Sequence, residues 1–383
     1  MLITAVAATT VAVLPVWLTG ALSVYLLPDL QFDEQQLGLA VASFFLASAA
    51  MSIPAGWLTE RLGARAALML AGSATVTALI GIAGLARSWR ALVALLVLAG
   101  VANGLTQPAL NLALAEQVTG RRALAFGIKQ SAIPLSTLLA GLAVPLLGAT
   151  LGWRAAFAVA AALGLAVLCV AAAFVGRTTT TVPGQGRLTS RLPDLLWLAL
   201  ATGIASAAGN AMAAFLVPSF VDRGFAPDLA GLLLIGVSLG CVATRVLVGW
   251  RADSRRGGHL RVVGVLMGLG ALGAGLLAWA AAPLPVVAVA GLLAFSLGWG
   301  WAGLFNYTVV QLNPNGPAAA TGVTQAAIFS GAVIGPIAFG SVVVSAGYST
   351  AWVLAAATGA LATGIVVLTR YRMLRLSGPA AVL

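Results

Sequence analysis

Charged residues are scarce in this chain. Of its 383 residues, only 8% are Asp, Glu, Lys or Arg, whereas 61% are hydrophobic. A soluble domain carries about 25% charged residues, so this composition cannot cover a surface that faces water. The scarcity of charge therefore excludes a soluble globular protein of ordinary composition.

Residues that support catalysis or bind metals are scarcer still. The chain has one histidine, His259, and two cysteines, Cys169 and Cys241, both of which fall in apolar runs. Two cysteines define no disulfide framework, and neither a nucleophile with its base nor a metal-ligand set can be recognised. We therefore expect no enzyme, no cofactor and no metal. The phosphate-binding P-loop spacing is also lacking, so ATP-driven transport would need a separate subunit.

Long apolar runs are what the chain has in abundance. A helix needs about 20 mostly apolar residues to span a bilayer. Twelve such runs occur, at about 4–27, 36–59, 66–86, 91–115, 125–150, 153–175, 194–221, 228–250, 261–282, 285–311, 319–345 and 350–369. They are too long for buried strands and lack strict alternation, which disfavours a β-barrel. The sequence predicts an all-α, multi-pass membrane protein with twelve transmembrane helices.

The basic residues indicate how the chain is oriented. If the spans alternate, one side of the membrane receives Arg61, Arg65, Arg121, Arg122, Arg177, Arg187, Arg191, Arg251, Arg255, Arg256, Arg261, Arg370, Arg372 and Arg375. Positively charged loops stay in the cytoplasm, so both termini are expected there. The net charge of +11 is thus a topology signal, and no nucleic-acid partner is expected. The richness in Arg and Ala suggests a GC-rich bacterial genome and hence the bacterial cytoplasmic (inner) membrane.

The chain divides near its middle and its second part repeats the first. A polar, Thr-, Pro- and Gly-containing stretch at 176–193 reads as a linker. It separates a predicted six-helix bundle at 1–175 from another at 194–383. At an offset of 195 residues Gly127 aligns with Gly322, and Gly152 with Gly347. We expect two pseudo-symmetric bundles that arose by duplication.

A short charged phrase occurs once in each part. GWLTERLGAR starts at Gly56 and GWRADSRRGG starts at Gly249, 193 residues later. With six spans on each side of a basic linker, this phrase after spans 2 and 8 resembles the signature loop of the major facilitator superfamily of secondary transporters. The second copy has Ser254 where the first has Arg61 and is degenerate.

The resemblance implies a gate between the two bundles, which open by rocking to each face in turn. The expected gating residues are Gly56, Glu60, Arg61, Gly63, Arg65, Gly249 and Asp253. Their physics agrees with this role, since glycine lets helices approach closely and ion pairs at helix ends can form in one state and break in another. The alternative is that these charges only anchor loops in the lipid headgroups.

Polar side chains inside the spans are the candidates for contact with a substrate, because an unpaired polar group in hydrocarbon is costly. They are Asn103, Gln107 and Asn111 in span 4, Asn210 in span 7, and Asn306 with Trp301 in span 10. We expect them to line a central cavity. Helix-to-helix hydrogen bonds for the amides, and simple packing for the tryptophan, are the alternatives.

Two cations lie within apolar runs that hold no acidic residue in their middle. They are Lys129, the only lysine, and Arg245. Both could snorkel to the interface. A positive, acid-free cavity would instead bind an anion, held by the Arg fork and by the Lys point charge. Arg245, four residues before Gly249, resembles the anion-binding arginine of oxalate and monocarboxylate carriers. The GIKQ string at Lys129 is similar to the cyanate-permease-like branch.

The expected function is therefore secondary active transport of a small anion by rocker-switch alternating access, with the lipid bilayer and the substrate as partners and a monomer as the expected state. An exporter of drugs or other neutral, amphipathic compounds is the alternative. Span 4 lacks the arginine of proton-coupled drug exporters, and a Gly335–Pro336 step lies in span 11 rather than span 5. Glu116 and Asp29 are the nearest candidates for proton coupling.

Overall fold

The computed structural model of the chain is helical where the sequence is apolar. It describes residues 2–115, 122–174, 191–254, 257–279, 281–313 and 317–377. For 53, 56, 57, 60, 111–115, 122, 174, 317–319 and 377 only the backbone is described.

Six membrane helices, TM1 to TM6, form what we call the N half. TM1 is Leu2–Ala21, and a short helix Ser23–Leu30 follows it. TM2 (34–62) and TM3 (64–85) are the two parts of Glu34–Leu85, TM4 is Trp89–Ala115 and TM6 is Trp153–Phe174. TM5 comprises Arg122–Gln130, Ala132–Ala143 and a π-helical turn, Val144–Gly148.

TM7 to TM12 form the C half. TM7 is Leu192–Asp222, TM8 is Pro227–Ser254 and TM9 is His259–Leu277. TM10 comprises Leu284–Gly291, a π-helical stretch Leu292–Leu297 and Ala302–Leu312. TM11 (317–346) and TM12 (348–377) are the two parts of Pro317–Ser377.

The number of membrane helices agrees with the prediction. Within the described ranges, eleven helices are long and apolar enough to cross a membrane, and the last of them, Ala320–Leu376, has 57 residues. At 1.5 Å per residue it would be about 85 Å long, far more than the roughly 30 Å of a hydrocarbon core. The backbone leaves the helix at Gly347, so this helix makes two spans. The predicted twelve-helix, all-α membrane fold is confirmed.

Glycine makes the tight breaks between paired helices. Gly63 separates TM2 from TM3 with φ 78°, and Gly347 separates TM11 from TM12 with the same φ. This left-handed region is open to glycine at little cost. Gly152, which precedes TM6 as Gly347 precedes TM12, has φ 83°. The two glycines that align at an offset of 195 residues thus share one backbone conformation, as expected of a duplicated unit.

The division into two bundles remains a prediction. The predicted linker at 176–193 lies mostly outside the described residues. TM7 begins at Leu192, two residues before the second predicted bundle. The largest buried cluster crosses from one half to the other, since it contains Trp17 and Phe44 of the N half and Phe215 and Phe295 of the C half. The halves are therefore packed against each other.

The two membrane faces are named here by the ends of the helices. The terminal face carries the start of TM1 and the end of TM8, and the distal face carries the end of TM1 and the start of TM8. Near the distal face a methyl group added to Gly20 of TM1 would lie 2.9 Å from the backbone of Ala214 of TM7. One added to Gly38 of TM2 would lie 2.3 Å from the carbonyl oxygen of Pro336 of TM11. The halves are in backbone contact at this face.

Asp29 ties together three chain segments at the distal face. Its Oδ2 accepts hydrogen bonds from Arg154 at 2.8 Å and from the indole Nε1 of Trp153 at 2.9 Å. Arg154 also donates to the carbonyl oxygen of Ala86 at 3.1 Å. These donors, Arg154 first and Trp153 second, hold the pKa of Asp29 below its usual value. Asp29 lies between TM1 and TM2, so this linkage belongs to the loops of the N half.

Candidate functional site

Arg245 is buried between the two halves. Its side chain is 2% exposed and lies on TM8, in the C half. One terminal nitrogen donates to the carbonyl oxygen of Gln130 in TM5, in the N half. The other donates to the carbonyl oxygen of Trp299 in TM10 at 2.8 Å. Arg245 forms no ion pair with the carboxylates whose side chains are described. Its charge is therefore held by carbonyl dipoles.

Both of these carbonyl oxygens lie where a helix is interrupted. Gln130 ends the first segment of TM5, and its usual helical donor would be the N–H of Pro134, which proline lacks. Trp299 lies in the 298–301 stretch, after the π-helical segment of TM10 and before Ala302. Interrupted helices in a membrane need other groups to satisfy their carbonyls. The guanidinium group of Arg245 supplies these donors.

The Trp299 ring covers the guanidinium group, and other aromatic rings continue from it. The Cζ atom of Arg245 lies 5.3 Å from the ring centroid of Trp299, within cation–π range. The Trp299 ring meets Trp17 of TM1 edge to face at 5.7 Å and Phe295 at 5.2 Å. Trp17 also lies 5.7 Å from Phe45 of TM2. We call Trp17, Phe45, Phe295 and Trp299 the aromatic cluster. It joins the two halves beside the buried charge.

Gly209 of TM7 makes room for the Trp299 ring. A methyl group added at Gly209 would lie 2.4 Å from Cδ1 and 2.5 Å from Nε1 of that indole. Trp299 itself is 5% exposed. Any larger residue at position 209 would have to displace the ring that covers Arg245.

TM5 and TM8 pack closely from the terminal face to the distal face, and we call this contact the TM5–TM8 seam. Near the terminal face a methyl group added to Gly127 would lie 2.6 Å from the carbonyl oxygen of Arg245. In the middle the hydroxyls of Thr137 and Ser238 share a hydrogen bond of 2.8 Å. Nearer the distal face, a methyl group added to Gly141 would lie 3.0 Å from the carbonyl oxygen of Gly231. The seam is closed in this structure.

The second signature phrase seals the terminal end of the seam. The Asp253 carboxylate accepts hydrogen bonds from the backbone N–H groups of Ala123 and Leu124, both at 3.0 Å. Gly249 lies beside the same turn, where a methyl group would be 2.9 Å from the carbonyl oxygen of Ala123. Asp253 of the C half thus caps the start of TM5 in the N half. The predicted gating residues Gly249 and Asp253 lie at a contact between the halves.

The first phrase is described only in part. Gly63 makes the turn between TM2 and TM3, Arg61 is exposed and Arg65 is half-buried. Gly56 and Glu60 lie in the TM2 helix, but their side-chain surroundings are outside the described part of the structure. The gating role of these five residues remains a prediction.

The amides of TM4 have different surroundings. Asn103 is 2% exposed and its side-chain nitrogen donates to the Ser48 hydroxyl in TM2 at 3.0 Å. Gln107, one turn on, is half-buried. The side chain of Asn111 lies outside the described residues. Asn103 thus makes the helix-to-helix hydrogen bond that was the alternative to lining a cavity.

The polar residues of the C half form a similar internal contact. Asn210 is 5% exposed and donates to the carbonyl and hydroxyl oxygens of Ser206, at 2.8 and 2.9 Å. Ser206 donates in turn to the carbonyl oxygen of Ile328 in TM11 at 2.8 Å. Asn306 of TM10 is half-buried. These contacts join TM7 to TM11 within one half.

Lys129 and Trp301 lie close in sequence to the two carbonyls that hold Arg245. Lys129 precedes Gln130 and is half-buried. Trp301, two residues after Trp299, is 1% exposed and packs edge to face on Phe305 at 5.8 Å, inside a buried cluster of C-half residues that also includes Ala123 of TM5. Trp299 thus meets Arg245, whereas Trp301 enters the core of the C half.

Asp194 is a buried carboxylate that sequence reasoning missed. It begins TM7, is 4% exposed and lies 3.4 Å from the Arg372 guanidinium of TM12. Its position at the end of a predicted span gave no sign of burial. Of the two proton-coupling candidates, Asp29 pairs with Arg154 at the distal face, and Glu116 lies outside the described residues.

Two small apolar clefts lie within the halves rather than between them. One is bordered by TM1, TM3, TM4 and TM6 around Gly72 and Gly164. The other is bordered by TM7, TM9, TM10 and TM12 around Gly270 and Gly359. Arg245 lines neither cleft. Its guanidinium group is instead enclosed at the contact between the halves, where the side chain is 2% exposed.

Sequence comparison identifies the family of the chain. Residues 1–314 match the model of the Major Facilitator Superfamily. The chain belongs to the Major Facilitator Superfamily. It is thus a multi-pass membrane transporter, as the signature phrase indicated. The more specific resemblance to the cyanate-permease-like branch remains an expectation.

Individual members of the superfamily resemble the chain to different extents. A chloramphenicol resistance protein of Streptomyces lividans is 31% identical over 267 residues, which are 65% of this chain and 65% of that protein. The match therefore spans somewhat less than two thirds of that relative's length.

Solved structures of superfamily members have the same fold. The human organic anion transporter MFSD10 (TETRAN) superposes with a TM-score of 0.73 and 18% identity, over 95% of this chain and 99% of that one. A bacterial homologue of the human lysosomal transporter Spinster, in an inward-facing and occupied conformation, superposes with a TM-score of 0.76 and 16% identity, over 98% and 97%. At these identities the likeness concerns the fold.

Proposed function

We propose that the protein carries a small anion across the membrane and that Arg245 is its principal binding residue. The observation that carries the proposal is the 2% exposed guanidinium group held by carbonyl oxygens between the halves. Taking a charge out of water is costly, and dipoles replace its hydration only in part. An anion that binds there supplies the missing countercharge through the planar fork of the guanidinium group.

Binding of this anion would be coupled to movement of the halves. The hydrogen bond from Arg245 to Gln130 crosses from the C half to the N half. An anion that takes the place of the Gln130 carbonyl removes that link and favours the open seam. A ligand shifts a conformational equilibrium only through such differential contacts. Rocking of the halves then exposes the site to each face in turn, as in other repeat-built carriers.

The remaining sequence predictions fit around this site. Lys129 adds positive charge beside Gln130, and Gln107, Asn111 and Asn306 face the cavity that opens when the halves separate. Asn103 and Asn210 line it while keeping their hydrogen bonds within their own halves. Trp301 supports TM10, while Trp299 contacts Arg245. The residues Gly56, Glu60, Arg61, Gly63 and Arg65 act at the terminal face as Gly249 and Asp253 do. We place this face in the bacterial cytoplasm, with both termini there, and take the transporter to be a monomer of two bundles, 1–175 and 194–383.

Ligand-dependent thermal stability tests the anion site. A ligand that binds only the folded protein stabilises it by RT ln(1 + [L]/Kd). Sodium salts of small carboxylates and of cyanate should raise the Tm of the purified protein in detergent, whereas the corresponding neutral amides should not. The Arg245→Gln variant should lose the shift, and the Arg251→Gln variant, altered at an exposed arginine of the same helix, should keep it. Equal shifts for amides and anions would exclude this function.

Export of a neutral, amphipathic compound is the second candidate. It is favoured by the relative named for chloramphenicol resistance and by the aromatic cluster at the contact between the halves. Expression in a chloramphenicol-susceptible host tests it. Resistance that persists in the Arg245→Gln variant would support this candidate, and unchanged susceptibility of cells that express the wild-type protein would exclude it for chloramphenicol.

A further inference from the structure

Trp17 and Arg245, which both contact the Trp299 ring, each carry a buried N–H group without a nitrogen or oxygen acceptor among the described residues. These groups are Nε1 of Trp17 and Nε of Arg245, in side chains that are 1% and 2% exposed. The Trp17 ring lies 5.7 Å and the Arg245 Cζ atom 5.3 Å from the ring centroid of Trp299. Buried donors in proteins nearly always have a partner. The unused Nε donor of Arg245 points to a ligand that brings acceptor atoms to the guanidinium group.

We infer that the anion carried at Arg245 has a flat apolar body, such as the aromatic ring of an arenecarboxylate. Its carboxylate takes the place of the Gln130 carbonyl on Arg245, and its ring takes the place of Trp17 against Trp299. This inference rests on the proposed function, in which Arg245 binds an anion. It adds the class of substrate.

The two contacts that such a substrate replaces both cross between the halves. Arg245 and Trp299 belong to the C half, while Gln130 and Trp17 belong to the N half. A substrate with a carboxylate and a ring satisfies both C-half groups at once. Aromatic rings favour edge-to-face or offset contacts at 4.5–7 Å, the range in which Trp17 now lies. Acetate replaces only one of the two contacts and leaves the other holding the halves together.

The Trp299 ring is fixed in position for this contact. Gly209 lies beside one edge of the indole, where an added methyl group would lie 2.4 Å from Cδ1. Phe295 meets it edge to face at 5.2 Å. Packing against Gly209 and Phe295 positions the ring so that it offers a surface to a flat ligand. A contact of this kind selects by shape rather than by charge.

Separate titrations of three ligands test the inference. Benzoate, acetate and neutral benzamide are titrated against the purified full-length protein, with Tm as the readout. Benzoate should act at a concentration at least tenfold lower than acetate, and benzamide should have little effect. Trp17→Leu should reduce the benzoate preference to less than threefold and leave the acetate response in place. Trp197→Leu, altered at an exposed tryptophan of TM7, is the matched control.

The outcomes separate the inference from the proposed function. If acetate and benzoate act equally and both depend on Arg245, the aromatic-body inference is overturned and the anion function stands. If neither anion acts on the wild-type protein, the proposed function fails. If Trp17→Leu does not fold, the same titrations use Trp17→Phe, which retains a ring at position 17 without the Nε1 donor. The ratio of the effective acetate concentration to the effective benzoate concentration, measured on the wild-type protein alone, also decides between aromatic and small aliphatic carboxylates.

Discussion

The carboxylate of Asp253 lies on the first turn of TM5, with its oxygens 3.0 Å from the backbone nitrogens of Ala123 and Leu124. These N–H groups have no partner within their own helix. A negative charge at this end of a helix is also favoured by the helix dipole. Since Asp253 belongs to the C half and TM5 to the N half, one side chain links the halves at the terminal face.

Removing this carboxylate should open the terminal end of the TM5–TM8 seam. Loss of a helix cap costs about 1 kcal/mol, which shifts a two-state equilibrium roughly fivefold. Cys241 is buried near Arg245, whereas Cys169 is exposed. In Asp253→Ala, membrane-permeant N-ethylmaleimide should therefore alkylate Cys241 several times faster, measured by mass spectrometry against Cys169. Asp228→Ala, at an exposed acidic residue of TM8, should leave the rate unchanged. Equal rates in both variants would show that Asp253 does not hold the seam.

Gly127 should tolerate no side chain. Alanine there would bring a methyl group within 2.6 Å of the Arg245 carbonyl oxygen, and overpacking of this kind costs about 1–3 kcal/mol. We expect the Gly127→Ala variant to lose several degrees in Tm and most of its transport rate. Gly236→Ala, where an added methyl group meets nothing within 4 Å, is the control and should be as stable as the wild type. A fully active Gly127→Ala protein would show that the seam does not close this tightly.

Alanine at position 209 should disturb the anion site from a distance. The added methyl group would push on the Trp299 ring, which lies over Arg245. The Gly209→Ala variant should shift the tryptophan fluorescence and weaken anion binding by about tenfold, as expected for a loss near 1.4 kcal/mol. The Gly364→Ala variant, with open space around position 364, should do neither. Unaltered anion binding in Gly209→Ala would mean that Trp299 does not shape the site.

Acid should weaken the distal linkage of the N half. Arg154 and Trp153 keep the pKa of Asp29 below its usual value. Their contribution to the free energy of unfolding is therefore present above the ordinary carboxyl pKa and is lost as the pH falls through the lowered pKa of Asp29. Because Asp29 and Arg154 are 46% and 44% exposed, the effect is small, no more than about 1 kcal/mol. The Tm of the wild type should fall relative to the Tm of Asp29→Asn only below about pH 4. A constant Tm difference from pH 7 to pH 3 would contradict this linkage.

Sequence patterns sufficed for the membrane helices because hydropathy alone decides which segments can span a bilayer. The duplication was inferred from residues that align at an offset of 195, and the aligned Gly152 and Gly347 share a positive φ. The signature phrase also placed Asp253 and Gly249 near a helix end, where the structure has them. Burial of Asp194 could not be predicted, because it depends on the approach of Arg372 from a distant helix.

The partners of Arg245 were harder to find from sequence. Main-chain carbonyls bear no residue-type signal, and only the structure shows that the Gln130 carbonyl, four residues before Pro134, accepts from Arg245. Of the tryptophans in TM10, the sequence favoured Trp301, whereas Trp299 meets Arg245. The difference depends on the π-helical stretch at Leu292–Leu297, which alters the helix rotation and is not apparent from residue spacing.

Uptake by proteoliposomes tests the central claim most directly. Protein reconstituted as wild type, Arg245→Gln and Arg251→Gln is supplied with a radiolabelled carboxylate that raises the Tm of the wild type. We expect saturable uptake by the wild type and Arg251→Gln, and at least a hundredfold lower uptake by Arg245→Gln at equal insertion. Near-normal uptake by Arg245→Gln would contradict an anion site at the contact between the halves.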